Sequence, residues 1–122
     1  MCTLLLITSA PTSVHAWHAY GLAKALHEKN EPFRVFFYQD AVQLANANLW
    51  VPDDQRSLQQ EWQNLNIHLP VCVSAALARG ISDTENAKRH HLQIANLATG
   101  FELVGLGELA DAVEKSDRLV QF

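Results

Sequence analysis

Cysteine is scarce: the 122 residues hold two, Cys2 and Cys72, with no Cys-x-x-Cys pair. That excludes a disulfide framework and a thiolate zinc site of ordinary spacing. There are five glycines, none in the turn Thr8–Ser13 and none in a Gly-rich dinucleotide pattern. Close backbone approach to a nucleotide or flavin phosphate therefore has no basis in the sequence, and no organic cofactor is expected. Basic residues are outnumbered, nine Lys and Arg against thirteen Asp and Glu, for a formal charge of −4 with His neutral. Nucleic-acid contact calls for the opposite balance, so no direct nucleic-acid binding is expected. Apolar runs stay well short of the roughly 20 residues that cross a bilayer. Leu4–Ile7 is too brief for a signal-peptide core and has no basic residue before it, so the expectation is a cytoplasmic protein with no membrane contact.

What is present is ordinary globular material, 48% hydrophobic and 18% charged. A chain of this length is expected to form one domain, residues 1–122, burying about two-thirds of the surface its unfolded form exposes. Thr3–Thr8, with four consecutive aliphatic residues, predicts a central strand buried on both faces. Ser13 is placed to cap a helix running to about Lys29, and Asn30-Glu31-Pro32 ends it. Phe33–Tyr38 predicts a second strand. Asp40 is expected to cap a short helix with Ala41, Val42, Leu44 and Ala45. Leu49-Trp50-Val51 then puts large apolar residues in a loop, which fits either an interface or a loop folded back on its own domain. Ser57–Leu65 reads as a helix and Ile67–Cys72 as a buried strand. Ala75–Ala78 then reads as a helix, with Arg79 a cation suited to its last turn and Gly80 closing it. Glu85–Ala98 is expected to be helical with Ala87, His91, Ile94, Ala95 and Leu97 inward. Phe101–Val104 forms a strand, Gly107–Lys115 a helix, and Arg118–Phe122 a last strand. Strands alternating with helices predict an α/β flavodoxin-like sheet of five strands, mostly parallel, with helices on both faces and the order 2-1-3-4-5.

The residue on which chemistry converges is Cys72. It falls at the carboxyl end of the third strand and at the start of the helix that follows, where free backbone N–H groups favour an anion such as a thiolate. The N–H groups of Val73, Ser74 and Ala75 and the Ser74 hydroxyl are the expected stabilising donors. Against this stands the common fate of a lone cysteine in an apolar run, which is to pack as a small hydrophobe. The six histidines fit no ligand pattern: His15 and His18 are three apart, His90 and His91 adjacent, and His68 has no spacing that pairs it with Cys72. No metal is expected.

Two blocks carry a resemblance. Val71-Cys72-Val73-Ser74-Ala75-Ala76-Leu77-Ala78-Arg79-Gly80-Ile81 is the first. Asn96-Leu97 with Gly100–Ala110 and the closing Asp117–Phe122 is the second. With Phe36-Phe37-Tyr38 and Ala45-Asn46 they resemble the DsrE/TusD family of small sulfurtransferase subunits, and within it the cysteine-bearing subunit of the tRNA 2-thiouridine sulfur relay. The resemblance implies the DsrE-type form of the predicted sheet, with a persulfide carried on Cys72. The sulfur would come from a TusA-like donor and pass to a TusE-like acceptor, in a heterohexamer with TusB-like and TusC-like subunits. Pro11-Thr12-Ser13-Val14-His15 and Trp17-His18 depart from the pattern of that family. A DsrE-type subunit of a sulfur-oxidation complex, and a non-catalytic interaction subunit in which Cys72 is packing, remain open alternatives.

Overall fold

The unbroken run Leu4-Leu5-Leu6-Ile7 lies within β1 (Thr3–Ile7) in the computed structural model, which describes residues 1–122. Its neighbours are β2 (Phe33–Phe37) and β5 (Arg118–Gln121); beyond β2 come β3 (Leu69–Cys72) and β4 (Phe101–Val104), giving the order β4-β3-β2-β1-β5 with every pairing parallel. Between the strands run α1 (Val14–Glu28), a 3₁₀ segment (Gln39–Ala45), α2 (Leu58–Asn64), α3 (Val73–Ala78), α4 (Thr84–Arg89) and α5 (Leu106–Lys115). Ser13 caps α1 as expected, its hydroxyl accepting from the His15 N–H at 3.1 Å, and Ser57 caps α2 through the Gln60 N–H.

The parallel sheet with helices on both faces is as expected; the strand order is not 2-1-3-4-5. The reason lies in where α2 packs. Tyr20 of α1 meets Trp62 of α2 edge to face at 5.5 Å, and Trp62 meets Phe37 of β2 at 5.3 Å, so both helices lie on one face of the sheet. Strand–helix–strand crossovers are right-handed, so two successive helices on one face make β2 and β3 step the same way from β1. β3 therefore lies beyond β2. The return from β4 to β5 crosses back over the sheet, and α5 sits on the opposite face, where Asp111 pairs with Arg34 and Glu108 with His68.

The helix expected over Glu85–Ala98 stops at Arg89. His91 adopts φ +57, and the Leu92 N–H closes back on the Ala87 carbonyl at 2.8 Å, a bond that terminates a helix. His91, Ile94 and Ala95, expected inward, are exposed. Asn96 explains the departure: buried, it accepts from the Ser82 N–H at 3.0 Å and donates to the Gly80 carbonyl at 3.1 Å and to Asn46 Oδ1 at 3.3 Å. A continuous helix would leave those three partners without it. Asp40 likewise does not cap; the 3₁₀ segment begins after Tyr38 with no side-chain cap, and Asp40 faces Arg79 instead.

Polar ties reinforce the α1–α2 contact. The Tyr20 hydroxyl donates to Glu61 Oε2 at 2.9 Å, and Arg56 Nε donates to Glu61 Oε1 at 3.1 Å. The hydrogen bonds from Arg56 and Tyr20 hold the Glu61 carboxyl below its usual range, while burial, then the Glu61 hydrogen bond, push the Tyr20 phenol up.

Two measurements test this account. Replacing Asn96 with Ala orphans buried donors and acceptors and is expected to lower unfolding free energy by about 2 kcal/mol, read from the urea midpoint. Because the folded Glu61 pKa is depressed, its stabilisation is present above the ordinary carboxylate pKa and is lost as pH falls through the folded value. The stability gap between wild type and Glu61→Gln should therefore be largest near neutral pH and shrink on acidification; a gap that grows in acid would contradict it.

Candidate functional site around Cys72

Leu69, Pro70, Val71 and Cys72 are all buried, as a strand flanked by β2 on one side and β4 on the other requires. The small residues that follow turn at once into α3, with Cys72 itself as the N-cap. This is the strand-to-helix joint read from the sequence. Val73, Ser74 and Ala75 form the first turn of α3, where backbone N–H groups have no acceptor within the helix. With six residues α3 is too short for a full macrodipole. The contact that does exist is local: Ser74 Oγ lies 3.4 Å from Cys72 Sγ. Cys72 is 0% exposed, whereas Ser74, two residues on, is exposed. Beside it a groove of about 380 Å³ runs between α3, α4 and the end of β4, with Ser74, Leu77, Asn86, Arg89, His90 and Val104 along its walls.

The far end of α3 is also held. Gly80 takes φ +77, which only glycine adopts freely, and lets the Ile81 N–H return to the Ala76 carbonyl at 2.9 Å. Arg79, read from the sequence as a cation suited to a last helical turn, donates to the Ala75 carbonyl and to Asp40. The link to Asp40 could not be read from the sequence, because it depends on β3 lying next to β2.

Other candidates are placed elsewhere. The turn Thr8–Ser13 gives the Thr8 and Ser9 N–H groups and the Thr8 hydroxyl to the Phe122 carbonyl, at 2.7, 3.2 and 2.9 Å, and Ser13 caps α1. These donors at the start of the turn are thus engaged within the chain. His68 lies beyond the opposite end of β3 from Cys72, between Glu102 and Glu108. His15 and His18 are exposed neighbours with ring centroids 6.1 Å apart, and no three His, Cys, Asp or Glu side chains converge as a metal site would need. Cys2 is half-buried at the start of β1, its N–H donating to Asp117. Trp50 is 78% exposed, so its ring does not fold back onto the domain. It borders a cavity of about 490 Å³ with Trp17, whose ring carries the Arg56 guanidinium at 5.1 Å. No helix is long and apolar enough to cross a membrane.

The chain matches the DsrE/DsrF-like family over residues 1–122. It is 47% identical to the sulfurtransferase TusD of Proteus mirabilis over 109 residues, covering 85% of this chain and 84% of that protein. With the TusD homolog of Vibrio vulnificus strain CMCP6 it shares 44% identity, over 98% of this chain and 95% of the relative. Identity to TusD of Serratia proteamaculans is 41% over the whole of both chains. The crystal structure of the ychN protein from E. coli superposes with a TM-score of 0.77 at 24% identity, all of each chain being covered, which establishes the likeness in fold. On the match that runs from the first residue to the last, the chain belongs to the DsrE/DsrF-like family.

Proposed function

We propose that this chain is a sulfurtransferase subunit that carries sulfur as a persulfide on Cys72. Sulfur transfer is the activity named in its relatives. The observation that carries the reading to a particular atom is Cys72 Sγ at the strand-to-helix joint, with the Ser74 hydroxyl 3.4 Å away. In the loading step the Cys72 thiolate attacks the outer sulfur of a donor persulfide. A new S–S bond forms, the donor's S–S bond breaks, and the donor leaves as a thiolate. Unloading repeats the exchange: an acceptor thiolate takes the outer sulfur and Cys72 is returned as a thiolate. Neither step changes the net oxidation state, so no redox cofactor or metal is required. Ser74 can donate its hydroxyl hydrogen to the sulfur anion in both states, and the first-turn N–H groups of Val73, Ser74 and Ala75 add to it.

The wider setting we propose, on the resemblance to the relay subunits, is a TusA-like donor, a TusE-like acceptor, and TusB-like and TusC-like partners in a heterohexamer serving 2-thiolation of the tRNA wobble uridine. Exposed apolar side chains support assembly. Trp50 is one; Leu106, Val113 and Leu119, at 47, 49 and 44% exposure, are others. A sulfur-oxidation complex would use the same chemistry at Cys72. One observation favours a different reading: the complete burial of Cys72 suits an interaction subunit whose cysteine only packs.

Intact mass measurement after incubation with a persulfidated TusA-type protein separates these. Wild type is expected to gain about 32 Da, one sulfur atom, and Cys72→Ser nothing. Ser74→Ala should load about three- to tenfold more slowly, the worth of one hydrogen bond to the sulfur. No gain in wild type, alone or with TusB-like and TusC-like partners, would assign Cys72 to packing. Trp50→Asp should leave the thermal midpoint of the isolated chain within about 2 °C of wild type, as surface changes do. It should weaken co-elution with the partner subunits in size-exclusion chromatography.

A further inference from the structure

Cys72 has no exposed surface, so exchange at its sulfur requires its cover to move. Part of that cover is α3, because Cys72 is the helix's N-cap and Ser74 in its first turn lies against the sulfur. The far end of α3 is tied down by one side chain. Arg79 donates from Nη1 to the Ala75 carbonyl at 3.0 Å, and from Nε and Nη2 to Asp40 Oδ1 at 3.3 and 3.0 Å. The Arg79 backbone N–H bonds to the Ala76 carbonyl, one residue closer than a helical bond would reach. The guanidinium thus takes the place of the main-chain donor at Ala75 and at the same time anchors the helix to the 3₁₀ segment that follows β2. Apart from the Ser74–Cys72 contact at its first turn, no other side-chain hydrogen bond joins α3 to a neighbouring element.

We infer that Arg79 and Asp40 are positioning residues: their ion pair sets how readily α3 lifts, and hence how often the Cys72 sulfur meets a partner. The functional meaning rests on the reading of Cys72 as a sulfur carrier; the exposure of the thiol is measurable without it. The pair suits a catch that opens. Its side chains are 30% and 59% exposed, so it is reached by solvent and screened by salt. An apolar seal of the same size would not be loosened by added salt.

The test is alkylation of the native full-length chain by N-ethylmaleimide, read by peptide mass spectrometry as the ratio of Cys72 to Cys2 labelling. Cys2 precedes β1 at the opposite end of the parallel sheet and serves as an internal reference for general loosening. Arg79→Gln and Asp40→Asn are expected to raise the ratio by about three- to tenfold, the worth of a partly exposed ion pair with a charge-assisted bond. Arg79→Lys, which keeps the charge but loses the fork, should fall between. Added salt should raise the ratio in wild type and leave it unchanged in Arg79→Gln. An unchanged ratio in both single variants, or a rise equalled at Cys2, would overturn the inference. The salt dependence of wild type decides the matter even where a variant fails to fold. A ratio that responds as expected in a protein that accepts no sulfur would keep the catch and remove the carrier reading.

Discussion

The contact between Tyr20 and Trp62 decides more than the packing of two helices. By holding α1 and α2 on the same face it makes β3 follow β2 outward, and so selects the neighbours of Cys72. Had β3 settled beside β1, the end of the strand would have faced the hydroxyl turn Thr8–Ser13. As built, it faces the 3₁₀ segment, and Asp40 comes within reach of Arg79. The hydroxyl turn closes on Phe122 instead, through β5 on the other side of β1. A pair of aromatic rings on two other helices thereby determines which side chains surround the sulfur.

Cys72 shows two demands in competition. A strand flanked on both sides buries its side chains, and the sulfur shares that burial. The proposed sulfur exchange would need the same atom to be reachable. Under that proposal the short α3 reconciles the two: six residues, capped by the cysteine and closed by a glycine at φ +77, form the small unit that would have to lift. Ala75 and Ala76 are buried, but each offers little more than a methyl group of apolar contact.

The elements with simple local signals were legible in the sequence. Four consecutive aliphatic residues made β1, Ser13 and Ser57 marked helix starts, Gly80 marked a helix end, and the joint at Cys72 followed from a strand meeting an alanine-rich helix. The errors were all long-range. Strand order depends on which face a helix packs against, and nothing local to Trp62 announces Tyr20. Asn96 sat in a stretch with helical composition, and only its burial against Ser82, Gly80 and Asn46 shows why the chain leaves the helix at Arg89. Asp40 had the composition of a cap, and its true partner lies 39 residues away. Of the candidate site, the placement of Cys72, Val73, Ser74 and Ala75 at the strand-to-helix joint was legible locally, whereas the bonds from Arg79 to Asp40 were not.

The two faces of the sheet are unequally dressed. One carries α1 and α2. Across the other, α5 is the link between strands on opposite edges, and its ten residues reach about 15 Å, less than the roughly 19 Å between the edge strands of a five-stranded sheet. Val113 on this helix and Leu119 on the adjoining edge strand are left in water. A chain built this way has part of its hydrophobic free energy unrealised while it is alone. Under the proposed assembly, in which partner subunits cover that face, resistance to heat and denaturant would obey mass action and rise with the concentration of those partners.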